Sequence, residues 1–66
     1  MIVTVNGQKE KISEGITISD FLEEKSQNED SVVVEYNGNI VKQKDYSRIS
    51  LEKHDNLEII KFVGGG

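Results

Sequence analysis

The sequence has no cysteine, which excludes a disulfide framework, a thiolate metal site and a cysteine nucleophile of the chain's own. That absence suits a reducing compartment. There is one histidine, His54. With no cysteine or second histidine to complete a zinc site, an imidazole in a charged turn reads as a solvated residue, and no metal is expected. No apolar run approaches the roughly 18–20 residues of a membrane span, and no basic-then-apolar leader stands at the start. The expectation is a mature cytoplasmic protein with no membrane partner. Basic charge is also scarce: eight Lys and Arg face twelve Asp and Glu, a net charge of −4. This argues against nucleic acid as a partner and favours a basic or mixed protein surface. Sixty-six residues allow one domain at most, near the lower size at which chains fold without staples. A catalytic cleft on the order of several hundred cubic ångströms is hard to fit into so small a core, so a binding or carrier role is favoured over an enzyme.

What is present is punctuated clearly. Met1, Val3 and Val5 alternate with Ile2, Thr4 and Asn6, the period-2 pattern of a strand with one buried face. Asn6-Gly7 is a hairpin signal, because a type I′ turn needs two positive φ values. Gln8 to Ser13 forms the return strand, an edge protected by Lys9 and Lys11. After Glu14-Gly15 a helix opens at Thr17, whose hydroxyl is placed to accept from the backbone of Asp20. Ile18, Phe21 and Leu22 make one apolar stripe, Glu23 and Glu24 lie outside it, and the pattern ends near Lys25-Ser26. So short a helix is marginal in water and must be held by packing on a sheet.

Gln27 to Asp30 reads as a polar loop, and Ser31 to Tyr36 as the clearest strand. Asn37-Gly38 repeats the hairpin signal, with Ile40 and Val41 as a short return. Lys42 to Arg48 is a connection containing one helical turn, pinned by the Tyr46 ring. Ile49 and Leu51 suggest a further short strand, and Glu52 to Asn56 a turn. Leu57 to Val63 closes the fold, with Leu57, Ile59 and Val63 on one face and Ile60 and Phe62 on the other. One helix cannot cover both faces of a doubly wound sheet, but it can cover one face of a mixed sheet. The expected fold class is α+β, a β-grasp with a mixed sheet of four to five strands. Its first and last strands lie side by side in the centre, with a hairpin on either flank.

The last strand runs into Gly64-Gly65-Gly66. Extended residues advance about 3.3 Å each, so this triplet can hold a terminal carboxylate roughly 10 Å beyond the last side-chained residue. Glycine has no Cβ, and such a tail can enter a slot too narrow for any side chain. We therefore expect residues 1–63 to form the domain and residues 64–66 a flexible tail bearing the carboxylate of Gly66.

A β-grasp of this length, beginning Met1-Ile2-Val3-Thr4-Val5-Asn6-Gly7 and ending Phe62-Val63-Gly64-Gly65-Gly66, resembles the sulfur carrier proteins of bacterial thiamine biosynthesis. The resemblance extends through Thr17-Ile18-Ser19-Asp20-Phe21-Leu22 and Val32-Val33-Val34-Glu35-Tyr36-Asn37-Gly38. It departs from that family at His54-Asp55-Asn56, where Asp-Gly-Asp is usual, and in having three glycines. The resemblance implies that a partner adenylyltransferase uses MgATP to adenylate the Gly66 carboxylate. Sulfur taken from cysteine by a desulfurase system then displaces AMP, and the thiocarboxylate supplies a thiazole synthase. Gly65 and Gly64 would provide clearance and reach. The carrier itself would be a recycled co-substrate with no bound cofactor and no catalytic residue, monomeric when free.

Partners need a handle beyond the tail. With Met1, Val3, Val5, Val34 and Ile59 facing the helix, Ile60 and Phe62 point the opposite way, and Val33 has the matching parity. These three are the candidate docking residues. Glu23-Glu24 and Glu29-Asp30 read as solvated faces, and Gly7 lacks the companions of a phosphate loop. Two alternatives share the carboxylate chemistry: the small subunit of molybdopterin synthase, and a ubiquitin-like modifier. The first usually carries prolines before its glycines, and this chain has none. A β-grasp interaction module with incidental glycines is a third.

Overall fold

The computed structural model describes residues 1–62. Strand β1 (Ile2–Val5) turns at Asn6-Gly7 into β2 (Gln8–Lys11), and helix α1 (Ile18–Glu24) follows. Strand β3 (Val32–Tyr36) turns at Asn37-Gly38 into β4 (Asn39–Val41), and β5 (Asn56–Lys61) comes last. The sheet order is β2-β1-β5-β3-β4, with β1 parallel to β5 and the other neighbours antiparallel. The first and last strands are central and a hairpin flanks each, as the β-grasp expectation required. Both hairpin turns have two successive positive φ values, 50° and 82° at Asn6-Gly7 and 47° and 90° at Asn37-Gly38. A Cβ added at Gly7 or Gly38 would meet nothing within 4 Å, so backbone conformation rather than crowding selects glycine there.

The helix begins where the sequence says it should, and every donor of its first turn finds an acceptor. Asp20 N–H donates to Thr17 Oγ1 at 3.0 Å, and Thr17 N–H donates back to Asp20 Oδ2 at 2.9 Å, a complete capping box. Ile18 and Ser19 donate to the carbonyls of Ile49 and Tyr46, each at 3.0 Å. At the far end Ser26 takes φ 57°. Ser26 and Gln27 donate back to Glu23 and Leu22, the bond pattern of a Schellman cap.

Ile18, Phe21 and Leu22 are buried against Val3, Val5, Val34 and Leu57 of the sheet. Tyr46 is 2% exposed, and its hydroxyl donates to the Val32 carbonyl at 3.4 Å. It is the anchor the sequence suggested for the segment after β4, beside a single 3-10 turn at Gln43–Asp45.

Three expectations need correction. Ile49 and Leu51 do not form a strand. Their segment makes one isolated bridge, Thr17 to Ser50, and Leu51 N–H donates to Ile16 at 2.8 Å. Its backbone is satisfied by the chain entering the helix and does not join the sheet, although Leu51 is buried. Gln27 to Asp30 is not wholly loop: Glu29–Ser31 is a 3-10 turn capped by Asn28. The second strand stops at Lys11, two residues short of the expected Ser13. Val63 and the Gly64-Gly65-Gly66 tail lie outside the described residues, and the proposed domain limit at residue 63 lies there with them.

Candidate functional site

The last strand, β5, is held at two of its amides by side chains from distant turns. Both Asn-Gly turns lend their asparagines to β5. Asn6 Oδ1 accepts from Ile59 N–H at 2.7 Å, and Asn37 Oδ1 accepts from Asn56 N–H at 2.8 Å. Directly before the strand, Asp55 is buried and gathers three donors. Tyr36 Oη donates to it at 2.8 Å, Asn37 Nδ2 at 3.0 Å and the Glu52 amide at 2.7 Å. Burial alone would raise the Asp55 pKa, but the bonds from Asn37, Glu52 and Tyr36 favour the ionised form and bring it below the ordinary carboxylate value. The Tyr36 phenol is pushed up to about 12 by its own burial and by its hydrogen bond to the Asp55 anion. Asp55 therefore stays ionised and locks the last turn to β3 while β5 starts.

Beyond that lock, alternation separates the faces of β5. Leu57 is buried on the helix side and Ile59 packs partly against the core. Ile60 and Phe62 project from the opposite face, each 57% exposed. Val33 is half-buried and stands directly across from Ile60 in the antiparallel pairing. Phe62 N–H donates to the Ser31 carbonyl at 2.9 Å, so the strand's hydrogen bonding to the β3 side continues one residue past its assigned end. Val33, Ile60 and Phe62, which the sequence singled out, thus form one apolar strip on the side of the sheet away from α1. Gly64, Gly65 and Gly66, which follow in sequence, lie outside the described residues.

Two features escaped sequence reasoning. Ile40 is 73% exposed on the same face, opposite Glu35. Counting outward from the two-residue turn at Asn37-Gly38 would have placed it there, since the turn fixes the register. Asp55 read as an ordinary turn residue, and nothing local marks its contact with Tyr36, nineteen positions away. His54 sits in the last turn at φ 71° and is exposed. Among the described residues no group of three or more potential metal ligands comes together, and no helix is long and apolar enough to cross a membrane.

Comparison with known proteins decides the family. The profile of the ThiS family matches residues 2–66. The chain belongs to the ThiS family. A crystal structure of a thiamine biosynthesis protein (ThiS) from Geobacter metallireducens superposes with a TM-score of 0.85 at 28% identity, covering all of both chains. A solution structure of a thiamine biosynthesis protein from the same organism gives 0.83 at 26% identity, covering 100% of this chain and 88% of that one. The five-stranded mixed sheet with one helix is thus the ubiquitin-like β-grasp of the ThiS family. Among curated relatives, the thiazole synthase of Paramagnetospirillum magneticum is 33% identical over 66 residues. This chain spans only 20% of the length of that relative. The uncharacterized protein ycf40 of Trieres chinensis is 34% identical over 62 residues, which cover 94% of this chain and 85% of that protein.

Proposed function

We propose that this protein is a sulfur carrier in thiamine biosynthesis, with the carboxylate of Gly66 as the reacting group. A free carboxylate has no acceptable leaving group. An adenylyltransferase would supply one by transferring AMP from MgATP to the Gly66 carboxylate and releasing pyrophosphate. The terminal sulfur of a desulfurase persulfide then attacks the acyl carbon and AMP leaves; a thiol reductant cleaves the resulting acyl disulfide, freeing the thiocarboxylate and leaving the desulfurase sulfur in a disulfide with that thiol. A thiazole synthase accepts that sulfur, and hydrolysis of the spent intermediate returns the carboxylate. The protein contributes no acid, base or other nucleophile, so it is a co-substrate and not an enzyme.

The observation that carries this reading is the ThiS family match running through residue 66, joined to a central strand that is followed in sequence by three residues without side chains. Gly65 and Gly64 give an enclosing active site clearance and reach. The thiamine branch is preferred over molybdopterin synthesis or protein modification because the similar solved structures are thiamine biosynthesis proteins and a curated relative is a thiazole synthase. The chain's lack of cysteine suits the reducing cytoplasm, where we place it.

Intact-mass measurement of protein isolated from its host tests the proposal. The expected result is a chain ending at Gly66, part of it heavier by the exchange of one oxygen for sulfur; that part gains the alkyl group on alkylation and returns to the carboxylate mass on hydrolysis. Attached proteins would transfer the chain to the modifier class. A chain that extends past Gly66, or that never carries sulfur, would sink the carrier mechanism.

A further inference from the structure

The two Asn-Gly turns share a backbone conformation and differ in how their asparagines are held. In both, the side-chain carbonyl accepts from an amide of β5: Asn6 Oδ1 from Ile59 at 2.7 Å and Asn37 Oδ1 from Asn56 at 2.8 Å. A backbone N–H can only donate, so these bonds fix which way each carboxamide faces. The NH2 groups then diverge. Asn37 Nδ2 donates to Asp55 Oδ1 at 3.0 Å, whereas among the described residues the bond to Ile59 is the only one the Asn6 side chain makes. Charge differs as well. Asn6 lines a surface cleft with Lys25, Lys61 and Glu10, the last already paired with Lys25. All four turn residues are exposed, and the space where a glycine Cβ would stand is open at both turns.

Asparagine is thermolabile, and glycine after it leaves the backbone nitrogen unshielded by any side chain. We propose that Asn6 is a self-modification site, converted to aspartate and isoaspartate, and that Asp55 protects Asn37 from the same reaction. The Gly7 nitrogen bonds to Asn6 Cγ, and its proton leaves with the NH2 group as ammonia. Water then opens the succinimide at either carbonyl, and one carboxylate is gained with no oxidation or reduction. Ile59 N–H donates to the oxygen on which negative charge grows during the attack, so the native contact assists the addition. Asn56 does the same for Asn37, but there the Asp55 anion binds the leaving NH2 group. That anion enriches the amide in electrons and has no proton to give the departing ammonia. Conversion would also set a second carboxylate against Asp55, a like-charge contact, whereas a carboxylate at position 6 faces Lys25 and Lys61. Aspartate at position 6 keeps an acceptor for Ile59 N–H. Isoaspartate carries the main chain through Cβ and Cγ, lengthens the turn by one carbon and draws Oδ1 into the backbone. The isoaspartyl form therefore loses the clasp on the middle of β5.

The test incubates the full chain at mildly alkaline pH, beside free peptides spanning Thr4 to Glu10 and Glu35 to Val41 that set the unrestrained rates. Mass spectrometry of digests follows the exchange of NH2 for OH at each asparagine, and isoaspartyl methyltransferase labelling counts the isoaspartate. Relative to its peptide, Asn6 should convert about tenfold or more faster than Asn37, the factor expected when a hydrogen bond to an ionised group must break first. A smaller ratio, or no conversion at Asn6 while its peptide is consumed, overturns the inference. The variant Asp55→Asn should raise the Asn37 rate and leave the Asn6 rate as it was. General loosening of the fold would raise both, so a rise in both rates, or in neither, overturns the protective role of Asp55. Converted protein, separated by ion exchange through its extra negative charge, completes the test by urea unfolding. The isoaspartyl form should unfold at a lower urea concentration than the aspartyl form, and equal midpoints would overturn the loss of the β5 clasp.

Discussion

At the scale of single residues, Asp55 links the most parts of the chain. One carboxylate joins the end of β3, the turn after it and the last turn before β5. Asp55→Asn should lower stability by roughly 1–3 kcal/mol near neutral pH, the range for losing hydrogen bonds to a charged group. The sign of the pH dependence follows from the direction of its shift. The folded pKa lies below the unfolded one, so the contribution is present above about pH 4 and is lost as pH falls through the folded value. Tyr36 works the other way: with its pKa raised to about 12, its contribution is whole below about pH 10 and disappears as pH rises toward 12. Urea unfolding across pH should show a shallower acid limb in Asp55→Asn than in the wild type. Parallel limbs in the two proteins would remove Asp55 from the account.

At the scale of elements, α1 and β5 illustrate opposite demands. The helix has seven residues, too few to persist unaided, so its ends must be fully satisfied. The amino end is. At the carboxyl end Ser26 holds φ 57°, a position where glycine avoids the clash of a Cβ with its own backbone. Ser26→Gly is therefore expected to raise stability by up to about 1 kcal/mol, measured as a higher urea midpoint at unchanged slope, because relief of that clash outweighs the added freedom of the unfolded chain. Strand β5 has a different task. It buries Leu57 and packs Ile59 partly against the core to anchor itself, and keeps Ile60 and Phe62 outside. Phe62→Asp should leave the unfolding midpoint unchanged while weakening binding to both the adenylyltransferase and the thiazole synthase about tenfold or more, in the range of interface anchors. Undiminished affinity for both enzymes would show that the exposed ring is incidental.

At the scale of the whole molecule, a small core positions one central strand, β5, after which the glycines follow in sequence. Deleting Gly66 should leave urea unfolding as it is and abolish thiazole formation in a reconstituted system; survival of sulfur transfer would disprove the mechanism. Much of this plan was legible in the chain. Val3 and Val5, the Ile18, Phe21 and Leu22 stripe, Thr17 and the two Asn-Gly turns each act over a few neighbours, and local sterics and periodicity suffice to read them. The same locality explains why Ile60 and Phe62 were assigned to the outer face. It also explains the misreading of Ile49 and Leu51, since alternating apolar residues look like a strand whether their amides find a sheet or a helix entrance. The carboxylate of Asp55 beneath Tyr36, the asparagines clasping β5, and Glu35 opposed to Glu58 depend on partners between 18 and 53 positions away. By itself the sequence determined the elements, the family and the glycine tail, because these are written in short-range patterns. Only the tertiary structure decided which charges meet and which turns hold the last strand, because strand register between distant segments is set by packing of the whole core.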